Sequence, residues 1–135
     1  MLHPKAKGLV MLEIWETIYR AVDGALDDNL HRLDEHELMR RADEALLQLP
    51  IVGGTQPTAA QLLRRYHRAL QHELCQGRAP RPLPAGLEDQ VRELTRAVMV
   101  VMGGHEGMSV DIAVLLALVI RADGVEELCA MPAAV

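Results

Sequence analysis

Residues 109–124, SVDIAVLLALVIRADG, decide the fold of this chain. Ser109 is a residue type that caps helix N-termini, and Asp123-Gly124 is typical of a helix end. Between them the stretch is apolar on nearly every side, which indicates a helix buried all round. Its uninterrupted apolar run, Ile112 to Ile120, is nine residues long, far short of the roughly 20 that span a bilayer. The stretch therefore predicts the central helix of a folded core, not a membrane anchor.

Four more helices precede it, each indicated by apolar residues at three- and four-residue steps. Two starts carry capping-box patterns, Asp34 with Glu37 and Thr58 with Gln61. The predicted helices run from about Lys7 to Leu26, Asp34 to Leu49, Thr58 to Gly77 and Leu87 to Met102, with residues 125–131 as a further turn. We expect an all-α fold, a compact bundle of five to six helices with mostly antiparallel neighbours and the apolar C-terminal helix central.

The length and composition predict one domain. Of the 135 residues, 50% are hydrophobic and 24% are charged, and there is no Phe. This is the composition of a globular chain of common domain size. The stretch Arg78–Gly86, RAPRPLPAG, is rich in proline and predicts an extended connector. Because neither flank is long enough to build its own core, residues 1–135 are predicted to form a single helical domain that contains this connector.

Cys75 and Cys129 are the two cysteines of the chain. They form no Cys-x-x-Cys motif and no disulfide framework, and the N-terminus lacks the apolar segment of a signal peptide. Free thiols in a reducing compartment are the simpler interpretation, which predicts a cytoplasmic protein. His72 lies three residues before Cys75, but a zinc site needs three or four ligands and no second pair supplies them. We expect no metal site and no cofactor.

The charge distribution gives the best candidate site. The net charge is −5, yet residues 64–81 hold five arginines and one acid, a local charge of +4, which leaves −9 on the rest of the chain. Arginine suits carboxylate and phosphate groups, so this stretch is predicted to bind a protein partner or a nucleic-acid backbone. The alternative is that these side chains only solvate one helix face. The candidate partner- or phosphate-binding residues are Arg64, Arg65, His67, Arg68, His72, Arg78 and Arg81.

A second, weaker candidate is the loop Gly103–Ser109, GGHEGMS, which places His105 and Glu106 before a helix N-terminus. Helix N-termini attract anions, and a His–Glu pair is an acid–base couple. The loop matches no phosphate-binding fingerprint, however, and glycines there also serve a helix–helix connection. Because the sequence has no nucleophile–base motif, we predict no catalytic residues and no enzyme activity.

The remaining expectation concerns self-association, since symmetric dimers are the commonest oligomers. The predicted seam of a homodimer consists of the aromatic face of the first helix and the apolar C-terminal helix: Trp15, Tyr19, Leu115 and Leu118. The first functional hypothesis is a small non-enzymatic interaction or regulatory protein that binds a protein partner, or itself, through the basic helix at about 58–76 or through this seam. The alternatives are a nucleic-acid-binding module and, third, an enzyme without a recognisable motif or a ligand binder at the 103–109 loop. No membrane partner is expected.

Overall fold

The computed structural model describes residues 4–49, 56–76, 79–80 and 83–130. Within these ranges the chain is an all-α bundle, as predicted. Its α-helices are α1 (Pro4–Asp27), α2 (Glu35–Leu47), α3 (Ala59–Arg65), α4 (His67–Leu74), α5 (Leu87–Val98), α6 (Gly104–Glu106), α7 (Val110–Asp123) and α8 (Val125–Ala130). A 3-10 turn (Leu30–Arg32) precedes α2, and a π-helical turn (Met99–Gly103) joins α5 to α6.

Helix α7 is the centre of the bundle, which confirms the prediction from its apolar sequence. It packs against α1, α2, α5 and α8. Of the residues from Ile112 to Ile120, only Leu115 is not fully buried. Val114 and Leu118 belong to a core cluster shared with α1, while Leu116 and Ile120 belong to a second cluster shared with α2–α5. A helix with a core on two sides has no polar face, which is why its sequence is apolar all round.

The predicted helix starts at three caps are confirmed. The Asp34 carboxylate accepts a hydrogen bond from the backbone N–H of Glu37 at 2.8 Å. Thr58 and Gln61 form a complete capping box: the Thr58 hydroxyl accepts from the backbone N–H of Gln61 at 3.2 Å, and the Gln61 side-chain Oε1 accepts from the backbone N–H of Thr58 at 2.9 Å. The Ser109 hydroxyl accepts from the N–H of Ile112. Each bond satisfies a backbone donor that has no partner inside its helix.

Two predicted helices are interrupted. The helix expected from Thr58 to Gly77 breaks at Tyr66, whose φ of −100° and ψ of 12° lie outside the helical region. Hydrogen bonds still cross the break, because Tyr66 N–H donates to Leu62 and Leu70 N–H donates to the Tyr66 carbonyl. The helix that begins at Leu87 changes to a π-helical turn after Val98.

The expectation of free cysteines is wrong, because a disulfide joins Cys75 to Cys129 with their Cα atoms 5.7 Å apart. Cys75 follows the last residue of α4 and lies in a two-residue strand, Cys75–Gln76, that pairs antiparallel with Ala79–Pro80. Cys129 lies in α8. The bond therefore fastens α8 to the end of α4. Two cysteines 54 residues apart carry no spacing signature, so the pairing could not be predicted from the sequence.

Candidate functional site

The basic stretch is split between α3 and α4, and its arginines differ in their surroundings. Arg64 and Arg68 are exposed and form no ion pair with any residue that the structure describes. Arg65 is paired, since its guanidinium donates to Glu106 at 2.9 Å. Glu73, the acid of this stretch, pairs with a residue outside it: its carboxylate accepts a hydrogen bond from Arg96 on α5 at 3.0 Å. The unpaired positive charge of the described part of the stretch therefore lies on Arg64 and Arg68.

The other predicted residues of the stretch have three outcomes. His67 is partly buried at the start of α4, whereas His72 is exposed near its end. Arg78 and Arg81 lie outside the described residues. Cys75 is bonded to another sulfur and has no thiolate to offer beside His72. Within the ranges that the structure describes, no three His, Cys, Asp or Glu side chains group as metal ligands do.

The 103–109 segment is in contact with the basic stretch. Its first residues are helical rather than a loop, and Gly107 then adopts a φ of +60°, which suits glycine. The His105 ring stacks on Tyr66 with centroids 6.4 Å apart, and Glu106 is held by Arg65. The N-terminus of α7 is already capped by Ser109. The Arg65–Glu106 ion pair and the Ser109 cap therefore account for this segment without a bound anion.

A cavity of about 320 Å³ opens between the start of α2, the α3–α4 pair, the end of α7 and α8. Its floor is apolar, and Gly124, which follows α7 with a φ of +101°, also lines it. The apolar residues that form the floor and walls are Leu63, Leu70, Val119, Ile120 and Leu128. The volume is at the lower end of the range for ligand pockets, which is about 300–1,000 Å³. It suits a single large side chain or a small molecule.

Four charged or titratable side chains line the same cavity. They are Glu35 at the first position of α2, Asp123 at the last position of α7, Arg64 and His67. The cavity thus has two carboxyl groups from helix ends and two nitrogen-bearing groups from the basic stretch. Two of the residues predicted from the sequence, Arg64 and His67, are brought together with two that were not predicted.

The carboxyl pair is electrostatically unfavourable. Partial burial and the nearby Asp123 carboxyl raise the pKa of Glu35, because two carboxylates in contact repel and can share a proton. Asp123 also lies at the negative end of the α7 dipole, where an acid is disfavoured. Neither acid forms an ion pair with a cation among the described residues. This negative charge is the least compensated feature of the cavity.

On the basic side of the cavity, His67 has an unsatisfied atom. Its Nε2 is buried and has no hydrogen-bond partner in the described part of the chain. Buried polar atoms are nearly always paired, so such an exception calls for a reason. His67 lines the cavity, but its Nε2 is buried and does not face the open space.

The predicted dimer seam is only partly exposed. Leu118 is 2% exposed and packs in the core, so it is not available to a second copy. Tyr19 is 40% exposed, with the Trp15 ring 5.6 Å away on one side and the Arg92 guanidinium 4.1 Å from its ring centroid on the other. Leu115 is partly buried. A seam on this face would be formed by the rims of Trp15 and Tyr19 without Leu118.

Comparisons with protein-family models, curated proteins and solved structures found no match to this chain. No described helix combines the length and the apolar character that crossing a membrane requires.

Proposed function

We propose that this chain is a non-enzymatic binding protein that docks a segment of a partner protein on the α3–α4 pair, with an apolar side chain of that segment in the cavity. The observation that carries the proposal is the apolar floor of the cavity directly beside Arg64 and His67. Burying one large aliphatic side chain contributes about 1.5–3 kcal/mol. Polar groups at the mouth of an apolar cavity provide orientation and specificity.

Small amino-acid derivatives test this proposal directly. The amides of leucine and methionine, with free or acetylated amino groups, would be titrated into protein labelled at Leu and Val methyl groups, with serine amide as the polar control. Saturable shifts at Leu70 and Val119 with the apolar amides alone would support it. A substitution that fills the cavity, Leu63→Trp, should abolish those shifts. The absence of saturable shifts with every apolar amide would overturn the proposal.

A nucleic-acid-binding module is the second candidate, and the unpaired guanidinium groups of Arg64 and Arg68 favour it. They lie four residues apart on the α3–α4 pair, where both could contact phosphates. A titration with labelled duplex and single-stranded DNA at several salt concentrations tests it. Micromolar binding that falls steeply with salt and is lost in Arg64→Glu/Arg68→Glu would support it, whereas no binding at low salt would exclude it.

A homodimer would have to use Trp15 and Tyr19, and sedimentation of the purified protein measures it. Cytoplasmic location was inferred from free thiols, whereas disulfides persist mainly in oxidising compartments. The Cys75–Cys129 bond therefore removes the main argument for that location.

A further inference from the structure

We infer that the cavity recognises the N-terminus of a partner polypeptide: the α-ammonium group binds between Glu35 and Asp123, and the first side chain, an apolar one, occupies the floor. This inference rests on the proposed function and names the chemistry of its partner. It follows from two features that line the same space: an apolar cavity and a pair of carboxyl groups with no cationic partner among the described residues.

The carboxyl pair selects for a cation. Glu35 and Asp123 line the same space, and the Asp123 carboxyl helps to raise the pKa of Glu35, so a positive group bound between them would relieve their repulsion. An α-ammonium group has three N–H donors and is charged below its pKa of about 7.7–8. It is also compact, so it can reach two carboxylates while the side chain on the next carbon enters the cavity. Capture of chain termini is an established form of peptide recognition.

The basic side of the cavity fits the group that follows an α-ammonium, the first peptide carbonyl. Arg64 is exposed and unpaired among the described residues, so its guanidinium is free to donate. An internal lysine of a partner would satisfy the acids, but its cation stands several bonds from any side chain that fills the floor. A terminal residue presents all three groups on adjacent atoms.

Three probes separate these possibilities in methyl-detected titrations at about pH 6.5, where an α-amino group is charged. Leucinamide has the ammonium group, N-acetyl-leucinamide lacks it, and N-acetyl-leucyl-lysinamide carries a cation on a side chain instead. We expect leucinamide to bind about tenfold more tightly than N-acetyl-leucinamide, which is the effect of one charge-assisted hydrogen bond. The blocked dipeptide should bind like N-acetyl-leucinamide.

The variants Glu35→Gln and Asp123→Asn should bring the affinity ratio of leucinamide to N-acetyl-leucinamide close to one. The matched control is Asp111→Asn, the same change at an exposed acid of α7 that does not line this cavity. The control should keep the wild-type ratio. Because all three sites are exposed, the substitutions should leave the fold intact. The amide spectrum of each variant checks this.

The outcomes distinguish this inference from the proposed function. Equal affinities for leucinamide and N-acetyl-leucinamide overturn the inference and leave apolar docking in place. Tight binding of N-acetyl-leucyl-lysinamide, or an unchanged ratio in Asp123→Asn, also overturns it. If none of the three probes produces saturable shifts at the cavity methyl groups, the proposed function and the inference both fail.

Discussion

Reduction of the Cys75–Cys129 disulfide should destabilise this protein strongly. The bond closes a loop of 54 residues, and the chain-entropy relation for such a loop gives about 4 kcal/mol. That is a large share of the 5–15 kcal/mol typical of a whole domain. For a chain of 135 residues, the unfolding entropy of about 2 cal/mol/K per residue converts this loss to a fall in Tm of about 15 °C.

The assay is thermal unfolding followed by circular dichroism, with and without a phosphine reductant after incubation to constant signal. Cys129 is 7% exposed, so incubation must allow for slow access of the reductant. The double variant Cys75→Ser/Cys129→Ser is the control, since its lower Tm should not respond to reductant. A shift of the wild-type protein below about 3 °C would refute the entropy argument. Two titratable thiols in the folded, unreduced protein would refute the bond itself.

The core, the carboxyl pair and the disulfide each allow a further test. Leu116→Ala in α7 removes a side chain that is 0% exposed and should lower the free energy of unfolding, measured in urea, by about 2–5 kcal/mol. The control Leu47→Ala, at a residue that is 68% exposed, should change it by less than about 0.5 kcal/mol. Equal losses in the two variants would contradict the assigned core. Asp123→Asn should stabilise the fold at neutral pH. The pKa of Glu35 is raised in the folded state, so repulsion between the two carboxylates is present above that folded pKa and vanishes below the pKa of Glu35 in the unfolded chain. The stability gained by Asp123→Asn should therefore disappear when unfolding is measured at lower pH. A gain that does not depend on pH would contradict repulsion between Glu35 and Asp123. Finally, reduction of the Cys75–Cys129 disulfide should weaken leucinamide binding several-fold in conditions where the protein stays folded, because Leu128 lines the cavity and is the neighbour of Cys129 in α8. An unchanged affinity would show that the cavity does not depend on the disulfide.

The sequence predicted two of the four charged or titratable residues that line the cavity. Arg64 and His67 were found because positive charge clusters visibly in the sequence of α3 and α4. Glu35 and Asp123 were missed because each is an ordinary acid at a helix end in its own neighbourhood. The one local signal was Asp123, whose position at the C-terminus of α7 opposes the helix dipole.

The sequence by itself determined the features that depend on a few neighbouring residues. The caps at Asp34, Thr58 and Ser109 join atoms three residues apart, and the apolar run of α7 predicts by itself that this helix is buried. These are local energies, so local patterns predict them.

Only the tertiary structure decided the disulfide and the cavity. Each depends on segments far apart in the chain meeting at a set distance. Cys75 reaches Cys129 only because α8 returns to α4, and Glu35 meets Asp123 only because α2 begins where α7 ends. Such contacts depend on how whole helices pack against one another, and no spacing within a single helix encodes them.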